Sequence, residues 1–226
     1  MIPRASLKFI PTRAPLPGLI TKFGGQPGWL DKAQWPTSRS TGRPMRFIGQ
    51  IALDVALFPN AKGKMAYIFM TDEDEYVDGT WEADGGENAV IIQPGSNLMA
   101  SSDLAAGPTL YEMVAQSGKT RLVAETREYE VDLTPAADPP FQPEEERGSW
   151  SKEKFEAYAA ALDGNKIGGT PIFLQGDEFP SGDEWRLLLQ LDSTRVPFYV
   201  NFGDAGIAYA FINSEGSAGK LLWQCA

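Results

Sequence analysis

The apolar positions of this chain fall into short runs of strand length. R-F-I-G-Q-I-A-L (46–53) and W-R-L-L-L-Q-L (185–191) are nearly continuous apolar stretches, each carrying one glutamine, Gln50 and Gln190. K-M-A-Y-I-F-M (64–70) and G-I-A-Y-A-F-I (206–212) add aromatic and β-branched residues suited to a pleated surface. N-A-V-I-I-Q, ending at Pro94-Gly95, reads as a further strand. T-R-E-Y-E-V-D-L-T (126–134) alternates, with Tyr129, Val131 and Leu133 on one face, which predicts a half-exposed strand. Helical spacing is clearest at 149–164, where Phe155, Tyr158, Ala159 and Leu162 fall at i, i+3, i+4 and i+7. Ser151 is positioned as its N-cap and Gly164 as its stop. A weaker helix is expected from about Ala100 to Gln116.

The pattern also repeats. K-F-G-G-Q-P at 22–27 returns as K-I-G-G-T-P at 166–171, and Trp35-Pro36 returns as Phe179-Pro180, both at an offset of 144. Gln50 and Gln190 then align at 140, and Tyr67 and Tyr209, with Phe69 and Phe211, at 142. Three matched blocks in one order imply a duplication, with small offset changes absorbed by loops. Each Gly-Gly permits positive φ or a close backbone approach. The following proline, Pro27 or Pro171, biases the chain toward extended geometry. A buried glutamine must find partners, so Gln50 and Gln190 are expected to brace the Gly-Gly turn of their own copy. The expected fold is α+β: strand-rich, internally duplicated, two similar halves packed together with few helices. Residues 1–142 would hold the first repeat with a basic N-terminal segment and an inserted acidic loop. Residues 143–226 would hold a linker helix and the second repeat, after the Pro-rich acidic stretch A-A-D-P-P-F-Q-P-E-E-E-R-G. The two would form one globular unit.

These blocks, with the late G-D-A-G-I-A-Y-A-F-I and the terminal W-Q-C, make the chain resemble the YwqG-like family of bacterial proteins, a domain of unknown function. The resemblance covers roughly residues 20–225. It implies a strand-rich α+β fold with an internal duplication. It implies no reaction and no catalytic residues.

Composition narrows the chemistry. There is no histidine, so Ser–His, Cys–His and histidine–metal sites are excluded. Cys225 is the only cysteine, which rules out an internal disulfide and a cysteine-based zinc cluster and suits a reducing compartment. No stretch approaches the roughly 20 apolar residues of a membrane helix. Pro3, Arg4, Lys8, Pro11 and Arg13 interrupt any leader-like apolar core, and the expected location is cytoplasmic. The net charge is −10, yet the first 50 residues carry eight basic residues and one acid, +7, leaving −17 for the rest. Nucleic acid is therefore not an expected partner, nor is a membrane. The basic segment is expected to lie across the acidic remainder of its own chain.

Several motifs fall short. A-Q-S-G-K-T at 115–120 resembles the end of a phosphate-binding loop, but Met113 stands where a glycine is needed. The apolar strand ending at Asp192 imitates a magnesium-holding strand, yet its repeat partner F-I-G-Q-I explains it better. In the acidic run at 71–87, Asp74, Asp78 and Gly79 match a calcium loop, while Tyr76 and Gly85 spoil it. Asp183, Asp192 and Asp204, with Asp54 loosely matching Asp192, are carboxylates with no spacing that pairs them for catalysis. The positions singled out are Lys22, Gly24, Gly25, Pro27 and Gln50 in the first copy. Their counterparts in the second are Lys166, Gly168, Gly169, Pro171 and Gln190, joined by Asp192, Gly203, Asp204 and Gly206. Packing of tight turns is their favoured role. An anion or peptide carboxylate held between Lys22 and Lys166 is the alternative. No catalytic residue, metal or cofactor is assigned. The expected function is non-catalytic binding of a partner protein, a basic one given the acidic charge. The alternatives are an enzyme or small-ligand protein with a carboxylate, lysine and tyrosine pocket between the repeats, and a module of a larger assembly.

Overall fold

The computed structural model describes residues 1–72, 77–95, 101–115 and 122–226. The first strands are β1 (Ile2–Pro11), β2 (Lys22–Gly24), β3 (Trp35–Pro36), β4 (Arg46–Ala52), β5 (Met65–Met70) and β6 (Asn88–Gln93). There follow β7 (Ser101–Ser102), β8 (Tyr111–Ala115), β9 (Leu122–Thr126) and the long β10 (Glu128–Asp138). Two helices, α1 (Glu144–Arg147) and α2 (Lys152–Leu162), lead to β11 (Lys166–Gly168), β12 (Trp185–Asp192), β13 (Ile207–Asn213) and β14 (Gly219–Gln224).

Ten of these strands close into one barrel in the order β1-β10-β2-β4-β5-β6-β14-β13-β12-β11, with β11 returning to β1. Every neighbouring pair is antiparallel. The α+β expectation of two packed halves is therefore corrected to a mostly-β fold with one continuous sheet. The physical reason is edge satisfaction: an open sheet in each half would leave backbone groups unpaired, and closure removes the edges. The seam is unusual. β1 precedes the first repeat but pairs with β11 of the second, Arg4 opposite Gly168. β10 precedes the second repeat but pairs with β2 of the first, Tyr129 opposite Phe23. The two leading strands also pair with each other from Ile2 opposite Asp138 to Pro11 opposite Tyr129. Strands from both sides of residue 142 thus share one sheet.

The predicted strands at 46–53, 64–70, 88–93, 126–134, 185–191 and 206–212 appear as β4, β5, β6, β10, β12 and β13. Helix α2 stands where the spacing put it, its Ser151 hydroxyl accepting from the Lys154 amide at 3.3 Å. The weaker helix at 100–116 is not found: its described residues hold β7 and β8, and β8 pairs with β9 as a hairpin. A cross-strand partner wins there over a short run of helical spacing.

The apolar runs lack alternation because both faces of those strands are covered. Phe23, Ile48, Ile68, Leu188, Leu191 and Ala210 belong to the largest buried cluster. A second cluster gathers Trp35, Phe47, Tyr67 and Phe69, and a third gathers Phe173, Leu187, Tyr209 and Phe211. The segment after each Gly-Gly folds onto these side chains. Trp29 lies 4.7 Å from Tyr67 and Trp35 lies 5.2 Å from Phe69. At the matched positions Phe173 lies 4.9 Å from Tyr209 and Phe179 lies 5.6 Å from Phe211. Even the irregularity in the ladder recurs, between Phe47 and Gly49 and again between Leu187 and Leu189.

Candidate functional site

The two glutamines brace their Gly-Gly segments through the same three backbone groups. The Gln50 side chain accepts from the Gly28 amide at 2.7 Å and donates to the Gly18 and Ile20 carbonyls at 3.3 and 2.8 Å. Gln190 accepts from Ile172 at 3.1 Å and donates to Leu162 and Gly164 at 3.1 and 3.0 Å, each partner displaced by 144. The next strand carries a tyrosine doing similar work. The Tyr67 hydroxyl donates to the Gly28 carbonyl at 2.8 Å and accepts from Leu30 at 2.7 Å; Tyr209 donates to Ile172 at 2.7 Å. Burial pushes the Tyr67 phenol up to about 12, and Tyr209 is raised for the same reason. A third pair completes the rows: Gln93 donates to Lys32 and Gln34 at 2.8 and 3.1 Å, and Gln224 to Gly176 and Glu178 at 3.0 and 2.9 Å. Buried side-chain amides and phenols here are consumed in holding loop residues, mostly through their backbone.

At each corner both glycines have positive φ, +69° and +65° at Gly24 and Gly25, +70° and +82° at Gly168 and Gly169. A Cβ on Gly24 would lie 2.1 Å from the Arg127 carbonyl oxygen. One on Gly25 would meet the Glu128 carboxyl at 2.4 Å, and one on Gly169 an Asp138 oxygen at 2.3 Å. Missing side chains thus let a carboxylate reach the lysine that opens each motif. Lys22 Nζ contacts Glu128 at 2.6 Å and the Leu16 carbonyl at 3.2 Å. Lys166 Nζ contacts Asp138 at 2.8 Å and the Leu162 and Thr170 carbonyls at 2.6 Å each. Pro27 and Pro171 follow in buried positions.

The corners then diverge. The second is sealed: Lys166 and Asp138 are both 0% exposed, and Arg4 adds an ion pair to Asp138 at 2.5 Å. Burial pulls the Lys166 ammonium down to about 8, an effect the Asp138 carboxylate only partly offsets. The first corner opens onto a cleft of about 420 Å³ lined by Lys22, Gly25, Gln26, Arg127 and Glu128 together with residues 12–16. Thr109 and Thr126 complete its wall. Arg127 is held by Glu112 at 3.0 Å and Glu125 at 2.9 Å. Glu112 in turn accepts from the Tyr129 hydroxyl, and that hydrogen bond, with Arg127, holds the carboxyl below its ordinary range against its own partial burial. The same hydroxyl lies 2.8 Å from the Pro197 carbonyl oxygen, so its one proton faces two acceptors, and burial raises its phenol.

Lys22 and Lys166 do not converge. β10 and β1 stand between β2 and β11, three strand spacings or roughly 14 Å around the barrel. A crevice shared by the two repeats, between 58–61 and Arg186, Ile212 and Gly216, has only about 10 Å³, room for about one water. Asp192 ends β12 as a local cap, accepting from the Thr194 amide and hydroxyl at 2.8 and 2.7 Å, and Asp54 accepts similarly from Ala56. Asp183 precedes the other end of β12, so it stands roughly 25–30 Å from Asp192, beyond any paired-carboxylate geometry. Gly203, Asp204 and Gly206 form the turn before β13, where Ala205 has φ 46° and a Cβ on Gly206 would lie 1.7 Å from the Phe202 carbonyl oxygen. Residues 116–120 of the phosphate-loop imitation and Asp74 and Tyr76 of the acidic run lie outside the described residues. Among the described residues, no cluster of three or more acids and Cys225 could hold a metal. No helix among them is long and apolar enough to cross a membrane.

Three of the N-terminal cations reach acids elsewhere in their own chain, Arg4 to Asp138, Lys22 to Glu128 and Arg46 to Asp72, so part of the basic segment lies against acidic residues. Sequence reasoning missed Asp138, hidden in what read as a linker, and the cleft residues Thr109, Arg127 and Glu128. Gln93 and Gln224 carried a readable signal, each the last residue of an apolar strand. No curated protein matches the chain. The family model "Domain of unknown function (DUF1963)" matches residues 21–220, from just before β2 into β14. The chain belongs to that family of domains of unknown function.

Proposed function

We propose that this protein, a YwqG-like domain of the cytosol, is a binding protein without a chemical step, and that it takes a small molecule into the cleft beside the first Gly-Gly corner. One observation carries the reading. Two corners share the same glycine, lysine, carboxylate and glutamine framework, yet in the second the lysine and carboxylate are fully buried with Arg4 paired to the carboxylate, while the first leaves about 420 Å³ open beside Lys22 and Glu128. That volume falls within the range of small-molecule sites, about 300–1,000 Å³. The non-catalytic half of the reading rests on how the repeated polar groups are spent. Gln50, Tyr67, Gln190 and Tyr209 hold backbone, and Lys22 is paired with Glu128.

The test compares the parent with Thr126→Trp, which fills the cleft from an exposed position on its wall. Both are mixed with the small-molecule fraction of a cell extract, desalted, and examined by mass spectrometry. The parent should retain a compound that the variant, folded by circular dichroism, does not. Equal retention, or none, refutes the site, and conversion of the retained compound refutes the non-catalytic half.

A basic protein partner is a second reading. It is favoured by the internal pairing of N-terminal cations, which leaves Glu130, Asp132, Glu144, Glu145 and Glu146 exposed. Binding to a lysine-rich protein should then weaken steeply with salt, and salt-independent binding would speak against it.

A further inference from the structure

The lining of the cleft points to the chemistry of its occupant. In a chain of net charge −10, this one concavity presents three cations, Arg13, Lys22 and Arg127, against one carboxylate, Glu128. The cations keep donors to spare. An ammonium has three N–H groups, and Lys22 uses two of them on Leu16 and Glu128. Arg127 meets Glu112 through Nε and Glu125 through one terminal nitrogen, leaving other guanidinium donors. Arg13 is exposed and has no ion pair among the described residues. The fourth feature is independent of charge. Thr109 on the cleft wall is 4% exposed, and its hydroxyl has no hydrogen-bond partner among the described residues. Buried polar atoms are nearly always paired, so an unpaired one beside a cleft asks for a ligand atom.

We propose that the cleft binds a small molecule through an oxyanion group, a carboxylate or a phosphate, with Arg13, Lys22 and Arg127 supplying the charge and the Thr109 hydroxyl donating a hydrogen bond. This rests on the reading of the cleft as the ligand site. Glu128 stays with Lys22, and Glu112 and Glu125 stay with Arg127, so Arg13 is the one of the three cations without an ion pair among the described residues, and a group of low negative charge suits the cleft where a polyphosphate does not. The sealed corner explains why only one of the two repeats would bind. There Asp138 stands beside the lysine and the second glycine as Glu128 does in the first corner, but Arg4 pairs with it and the lysine and carboxylate are fully buried, whereas Lys22 and Glu128 border the cleft.

The experiment is an NMR titration of the full ¹⁵N-labelled chain with three probes in separate arms: inorganic phosphate, acetate and methylammonium. Phosphate or acetate should shift the amides of Ala14, Gln26, Arg127 and Glu128 in a saturable way. The tighter of the two identifies the group the natural ligand carries. Arg13→Gln and Thr109→Val should each weaken that binding about tenfold. Thr109→Val removes only a hydroxyl without a protein partner, so its thermal midpoint should match the parent's, and its weakened binding cannot be laid to unfolding. Shifts spread over basic residues of the whole surface, or binding untouched by both variants, would show an adventitious ion only and overturn the proposal. Saturable binding of methylammonium but of neither anion would overturn the oxyanion while leaving the cleft as a ligand site. Silence of the cleft amides in all three arms would remove both.

Discussion

Replacing Gln190 by leucine tests the bracing directly. Gln190 is 1% exposed and makes three hydrogen bonds to loop backbone. Leucine keeps the bulk and removes all three. The Leu162 carbonyl keeps its bond from Lys166 at 2.6 Å, so the groups left without a partner are the Ile172 amide and the Gly164 carbonyl, both half-buried. At about 1 kcal/mol net for each lost bond, the cost is about 3 kcal/mol. For a chain of this size that lowers the thermal midpoint by roughly 6–12 °C. A total stability of about 5–15 kcal/mol leaves the variant folded at room temperature. Gln50→Leu loses the matched three bonds, but Gly18 and Ile20 are exposed, so water replaces two partners. Its cost should be about half as large. Urea unfolding of both variants gives the two numbers. A cost below about 1 kcal/mol for Gln190→Leu, or a larger cost for Gln50→Leu than for Gln190→Leu, would refute the reasoning.

The two motif lysines should differ in the same sense. Lys166→Met leaves the fully buried Asp138 with Arg4 as its one ion pair and the Thr170 amide as a donor and should cost about 3 kcal/mol, whereas Lys22→Met frees Glu128 toward the cleft and should cost about 1 kcal/mol by chemical denaturation. Lys166 also carries a pH signature: its folded value, about 8, lies below that of a free lysine, so the unfolded chain binds more protons above that pH. Parent stability relative to Lys166→Met should therefore rise between about pH 8 and pH 10, and a fall over that window would contradict the burial of a charged amine. Among the glycines, Gly63 has φ +73° and nothing within 4 Å of an added Cβ, and its counterpart in the second repeat is Ala205 at φ 46°. Gly63→Ala should cost only the left-handed strain, about 1 kcal/mol, and Gly24→Ala, blocked at 2.1 Å by backbone, at least about 2 kcal/mol more in thermal or urea melts.

Local features were legible in the sequence, and long-range ones were not. Gly24-Gly25 and Gly168-Gly169 announced positive φ, and a lone glutamine in an apolar strand announced a backbone to satisfy. Those inferences need only neighbours in the chain. The closed barrel needed to know that M-I-P-R-A-S-L-K would pair with residues 166–168, and nothing in that segment names its partner. Its prolines, Pro3 and Pro11, sit at the ends of β1, where missing N–H groups are tolerated, yet they concealed the strand. Asp138 was hidden for the same reason: A-A-D-P-P reads as a linker until the strand before it is seen to run to its aspartate. The cleft draws on residues 12–16, Gln26, Thr109 and 126–128, a set that only the folded chain assembles.

The exchange of leading strands has a consequence for synthesis. β1 leaves the ribosome early, but one of its two flanks stays bare until residues 166–168 have followed. β2 likewise waits for β10. Such distant pairings delay closure and prolong the exposure of unpaired edges. A ribosome-bound fragment ending near residue 142 should thus be a customer for chaperones, not a finished half.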